Sequence, residues 1–421
     1  MMQITELSSG LIVASEHIPH VRTVTIGFWV RCGTFCEAET ERGLSHFLEH
    51  MFFKGSHSRT ARQIVEAFDD VGGELNAYTT KEYTCFYAKV IDEHLPIAVE
   101  VLADMLSRPL LSGSDVEREK QIVLEEIALY EDTPDELIHD YVASTVWPEH
   151  PLGLPILGTK ESINAIDSQI VESFYQRHYI PQSIVVAAAG NVDHDKLMKL
   201  VEQYLTLECR DNCAIPVVPE VAYAERINIV ERATEQLHLC LGFPGLSFRD
   251  SNIYTLNMLN NIFGAGMSSR LFQGVREELG LAYSIYSYSA SFAAAGYYVI
   301  YAGLSTKNAE VLLNTVAREA ARLRTDLVSP EELNRAKQQV KGALVMGLES
   351  TANRMSRMGR GLLLLGKVMD AEEIVRKIER VTAEHVQQLA VKILEPNHAS
   401  LCTLGPTADL PKLGPILRNS F

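Results

Sequence analysis

Basic side chains are in short supply in this chain of 421 residues: 38 Lys and Arg stand against 54 Asp and Glu, for a net charge of −16. Binding to a polyanion needs a cationic surface, so nucleic acid is not expected as a partner. Long apolar runs are absent, and none approaches the roughly 20 residues that a membrane helix requires. The opening Met1-Met2-Gln3-Ile4-Thr5-Glu6 has neither a basic segment leading into an apolar one nor an Arg-rich amphipathic pattern. Read on its own, the chain is expected to stay in the cytoplasm, with no membrane partner. The seven cysteines include no C-x-x-C pair; Cys32 with Cys36, and Cys209 with Cys213, are spaced C-x₃-C without histidines close by in sequence. They read as ordinary reduced thiols. Gly264-Ala265-Gly266-Met267 lacks the Gly-Lys-Ser/Thr ending of a phosphate-binding loop, which excludes that nucleotide-binding device.

What is present begins with Ser45-His46-Phe47-Leu48-Glu49-His50-Met51. On a helix, residues four apart share a face, so His46 and His50 reach one cation. Neutral imidazole is a zinc ligand, and catalytic zinc takes three protein ligands with one position left for water. Glu49 lies beside the pair, where a general base is needed. The pattern is H-x-x-E-H, the inverse of the commoner H-E-x-x-H.

A third ligand must come from elsewhere. Between Asp115 and Glu131, a period of 3.6 gathers Val116, Ile122, Val123, Ile127, Leu129 and Tyr130 on one arc. Glu119 and Glu126, seven residues apart, fall in the middle of that arc. Carboxylates on an apolar stripe need a partner, and metal is one. His139 competes as a ligand less well, and His57, His94 and His150 have no ligand-spaced partner.

The chain also resembles itself. At an offset of 217, Glu119 and Glu126 fall on Ala336 and Ala343; at an offset of 211, His46, Glu49 and His50 fall on Asn257, Asn260 and Asn261. Every proposed ligand is replaced in the second copy while the helical framework persists. A chain this long exceeds the reach of one core, so two domains are expected. Strands and helices alternate irregularly, as in an α+β fold of two homologous, mostly antiparallel domains, without repeated βαβ units. Residues 1–212 form the expected metal-binding domain and 213–421 a copy that has lost the site. The stretch 211–221, with Pro216 and Pro219, reads as the linker.

With the inverted motif, the distant Glu126 and the retired copy together, the chain resembles the pitrilysin (insulinase) metallopeptidases, on the branch of the mitochondrial processing peptidase β-subunit and its bacterial homologues. The likeness spans nearly the whole chain. Gly43 to Met51 is close to the family's core signature, and Glu126 lies 76 residues past His50, the family's spacing. The resemblance implies one Zn²⁺ per chain on His46, His50 and Glu126, Glu49 activating water, and Glu119 supporting a histidine. Asn76, Ala77, Tyr78 and Thr79 match a substrate-binding edge strand that accepts an extended peptide. Arg276 and Tyr283 match the R-x₆-Y motif that holds a substrate carbonyl and stabilises the oxyanion. It further implies a zinc endopeptidase acting on unstructured peptides within a dimeric chamber. A homodimer is the simpler expectation, a heterodimer with an inactive paralogue the alternative. The competing function is a scaffold or peptide-capturing subunit, which an intact Glu49 disfavours.

Overall fold

The computed structural model describes residues 2–208 and 221–407, with positions 410 and 413. Cys209, Cys213 and residues 211–220 of the expected linker lie outside the described residues. Two sheets organise the chain. The first runs β1 (Met2–Glu6), β2 (Ile12–His17), β6 (Ile184–Gly190), β3 (Thr23–Val30), β5 (Thr84–Ile91) and β4 (Glu74–Thr79) in spatial order. The second runs β7 (Ile227–Glu231), β11 (Ser400–Gly405), β8 (Leu237–Pro244), β10 (Gly296–Leu304) and β9 (Ala282–Ser291). Without β1 the two orders correspond strand for strand, down to one parallel pair each, β2 with β6 and β7 with β11. The other neighbours are antiparallel. The fold is α+β, and the second copy repeats the first.

The chain divides into two compact units whose membership crosses its midpoint. One unit holds residues 1–128, 155–217 and 345–369; the other holds 129–154, 218–344 and 370–421. Each half therefore sends one helix into the other half's unit. Strand alternation shows why those helices are needed. Along β3, Val24, Ile26, Phe28 and Val30 enter one core, while Thr25, Gly27 and Trp29 face the opposite way. That second face is covered by the Thr351–Leu365 helix. Thr25 Oγ1 lies 2.8 Å from Thr351 Oγ1, and the Trp29 indole N–H donates to Met355 Sδ at 3.2 Å. The indole lies so close to Gly359 that a Cβ there would meet it at 2.2 Å.

The other unit repeats the device. Leu237, Leu239, Leu241 and Phe243 of β8 enter its core. Gly242 faces Val142 and Val146 of the Pro134–Val146 helix. The two exchanged helices begin 217 residues apart, at Pro134 and Thr351, the same offset that relates Glu119 to Ala336. Among the described residues, no helix is long and apolar enough to cross a membrane.

A fragment ending at residue 212 lacks the Thr351–Leu365 helix and leaves the Trp29 face of β3 bare. It should show no cooperative thermal transition by circular dichroism. The same fragment with residues 345–369 fused through a flexible linker should regain one. A sharp transition in the bare fragment would show that the exchanged helix is dispensable.

Candidate metal centre

The helix Leu44–Phe52 carries His46, Glu49 and His50. Its first residues are fixed by two unusual features. Gly43, at the N-cap, has φ of 88°, a left-handed conformation that suits glycine, and a Cβ there would meet the Leu157 carbonyl oxygen at 2.6 Å. A glycine cannot cap with a side chain, and Glu37 does so instead. Its carboxylate accepts from the Gly43 N–H at 2.8 Å and from the Ser45 N–H at 2.7 Å. Glu37 is buried, and desolvation pushes its pKa up to about 7 against the lowering effect of those N–H groups.

One and a half turns along, the two imidazoles stand with ring centroids 4.5 Å apart. His46 Nε2 lies 3.6 Å from Glu126 Oε1, and His50 Nε2 lies 3.6 Å from Glu126 Oε2. Ligand atoms of the three residues all fall within 4.8 Å of one another. Tetrahedral zinc with bonds of about 2.0–2.1 Å holds its ligand atoms roughly 3.3 Å apart, so the spacing suits one ion. Burial, helped by the charge of His50, lowers the His46 pKa to about 3. That ring is neutral at ordinary pH, so its contact with Glu126 is not an ion pair. Two imidazoles and a carboxylate facing a common point fit zinc by donor chemistry and by distance.

The supporting residues are equally specific. Glu119 is 1% exposed and sits 3.5 Å from His50 Nδ1, with the Lys54 ammonium against its other oxygen. It thereby orients the ring whose far nitrogen faces Glu126. Thr79 of β4 donates its hydroxyl to Glu49 Oε2 at 2.5 Å. Burial raises the Glu49 pKa, and the Thr79 bond opposes that rise.

The Gly113–Glu131 helix departs from the arc expected of it. Its buried residues are Val116, Glu119, Lys120, Val123 and Ile127, whereas Ile122 and Leu129 are exposed. The buried face is rotated toward Lys120, whose ammonium escapes by pairing with Glu117 at 2.7 Å. Of the other expected positions, β4 is the outer strand of its sheet, so the main chain from Asn76 to Thr79 has one open edge. Ala77 packs toward the core, Tyr78 stands edge-on to Trp29, and Asn76 accepts from the Ala77 N–H at 2.8 Å. In the other unit, Arg276 sits in a π-helical turn, Phe272–Glu278, with its guanidinium 4.8 Å over the Tyr283 ring, and that ring is exposed. His139 is spent on Tyr288 and Tyr286 at 2.8 and 3.0 Å. Lys54 and Glu37 escaped notice in the sequence. Lys54 stands four residues after His50, a helical spacing that was open to view; nothing local marks Glu37.

Substituting Glu126 by Gln should lower the zinc retained per chain after dialysis against a mild chelator, because a neutral amide is a poor ligand. Glu125→Gln, on the exposed side of the same helix, should retain zinc as the wild type does. The reverse result would move the ligand by one position.

Residues 12–160 match the family described as insulinase (peptidase family M16), and residues 165–340 match the peptidase M16 inactive domain. A Bacillus subtilis protein named an uncharacterized zinc protease is 41% identical over 404 residues, covering 96% of this chain and 98% of its own. Another so named, from Streptomyces coelicolor, is 40% identical, with 96% and 90% covered. The crystal structure of a Helicobacter pylori protease shares the fold, with a TM-score of 0.91 over 96% of this chain and 99% of that one at 19% identity. The chain belongs to the insulinase family of metallopeptidases, peptidase family M16.

Proposed function

We propose that this protein is a zinc endopeptidase that cleaves extended peptides, with Glu49 as its general base. The observation that carries the proposal is the convergence of His46, His50 and Glu126 within 4.8 Å, with Glu49 held alongside by Thr79. When bound there, zinc supplies a Lewis acid and lowers the pKa of water. Glu49 takes the proton of the attacking water and returns it to the departing amine. The Thr79 hydroxyl occupies Oε2 and leaves Oε1 for that proton. Burial makes the carboxylate a stronger base than one in water. Glu119 and Lys54 hold the His50 ring in one orientation throughout.

The open edge of β4 offers main-chain groups from Asn76 to Thr79 to a peptide that adds as a further strand. Backbone pairing tolerates many sequences but demands an extended substrate. Arg276 and Tyr283 are proposed to hold a substrate carbonyl, as their motif implies. Two copies of the chain are proposed to pair and enclose the substrate. A scaffold would have no use for a half-buried carboxylate poised beside the three ligands.

Glu49→Gln should keep zinc and lose turnover of a fluorogenic peptide by roughly 10²–10⁴-fold or more, the usual share of general-base catalysis. Full activity in that variant would remove Glu49 from the reaction. A disordered peptide should be cleaved much faster than the same segment inside a disulfide-locked folded domain. Equal rates would rule out both the added strand and the enclosure.

A further inference from the structure

Separate from the His46–His50–Glu126 centre, the same unit gathers a second group of donors. Cys32 follows β3 and is fully buried; Cys36 closes the short turn Thr34–Cys36; His178 ends the helix Ser168–His178. The two sulfurs and one ring nitrogen of His178 all lie within 4.8 Å of one another. Cys32 and His178 are 146 positions apart in the chain, so their meeting is a product of the fold. His178 Nε2 is buried and makes no hydrogen bond among the described residues, an expensive state for an imidazole nitrogen. The Cys36 thiol lies 3.8 Å from the Arg31 carbonyl oxygen and within hydrogen-bond reach of the Cys32 thiol. Two sulfurs and an imidazole form a soft donor set, unlike the nitrogen and oxygen set of the first centre. Soft sets of this kind take zinc and related thiophilic ions.

We infer that Cys32, Cys36 and His178 hold a second zinc ion, as three ligands of a tetrahedral structural site. The charges balance: binding Zn²⁺ displaces one proton from each thiol, so two thiolates and a neutral imidazole leave the buried site without net charge. A Zn–S bond of about 2.3 Å places two sulfurs roughly 3.7 Å apart in a tetrahedron, within the observed convergence. The placement also gives the ion a task. Glu37 follows Cys36 directly and grips the Gly43 and Ser45 N–H groups that begin the histidine helix. An ion that ties Cys36 to Cys32 and His178 immobilises that grip, and so the start of the helix that presents His46. A disulfide between the two cysteines would leave His178 without a role.

Co²⁺ as the probe separates this site from the other, because only thiolate ligands give a sulfur-to-cobalt charge-transfer band in the near ultraviolet. The fully reduced wild-type chain, titrated with Co²⁺, should show that band. Cys36→Ser should lose it. His178→Gln should weaken the binding that produces it by more than the roughly 10–100-fold that loss of an outer-sphere partner costs. Both variants change half-buried positions, and circular dichroism checks that each is folded. Glu126→Gln, whichever way it affects the first centre, should leave the band intact. Absence of the band in the reduced wild type overturns the inference. So does a band that survives in both Cys36→Ser and His178→Gln, which would place the thiolates elsewhere in the chain. Recovery of Cys32 and Cys36 as a disulfide, with no band after reduction, would replace the metal site with a redox pair.

Discussion

A carboxylate with 1% of its surface exposed needs polar partners for both oxygens, and much of the candidate centre follows from how Glu119 satisfies that demand. Its two oxygens are divided between Lys54 and His50, which lie on and just beyond the histidine helix. Those contacts dock the Gly113–Glu131 helix against its partner at one register. Two turns further on, that register brings Glu126 to both imidazoles. Slide the helix by one residue and Glu119 loses its cation while Glu126 turns away from the histidines. The stability of the pairing and the assembly of a three-donor set thus depend on the same contact.

The retired half shows what becomes of the arrangement once metal is no longer served. Asn260 occupies the place that the internal repeat assigns to Glu49. Its side-chain oxygen accepts from the Ser287 hydroxyl at 2.8 Å, and that hydroxyl in turn accepts from Tyr298 at 2.7 Å. A helix residue held by a hydroxyl from the sheet's outer strand persists, as with Glu49 and Thr79. The acid has become an amide within a closed hydrogen-bond chain. Such a chain is satisfied without an ion and gives the helix no reason to keep histidines.

Much of this could be read from residues alone, because its determinants are short-range or periodic. The i, i+4 histidines, the heptad joining Glu119 to Glu126 and the repeat at an offset of 217 each survive translation into three dimensions. The expected arc failed at Ile122 and Leu129, since a helix pattern marks an apolar side without saying which part a neighbour covers. Lys120 buries its stem there and sends its charge outward. Glu37 was invisible for another reason: a cap supplied from six residues upstream depends on how a loop turns back. Cys32 and Cys36 looked ordinary because their histidine lies more than 140 positions away. The exchange of helices between units left no trace in composition or period, as each exchanged helix is amphipathic wherever it packs.

That exchange sets a schedule for synthesis. Trp29 and the methionine that covers it, Met355, are 326 positions apart. A ribosome adding roughly 5–20 residues per second emits Met355 on the order of tens of seconds after Trp29. During that interval β3 has a core on one side and nothing on the other, so the nascent first half carries an uncovered apolar face. The same delay keeps the unit bearing His46, His50 and Glu126 incomplete until most of the chain has been made. A protein built in this way completes the unit that carries its candidate centre only near the end of its own translation.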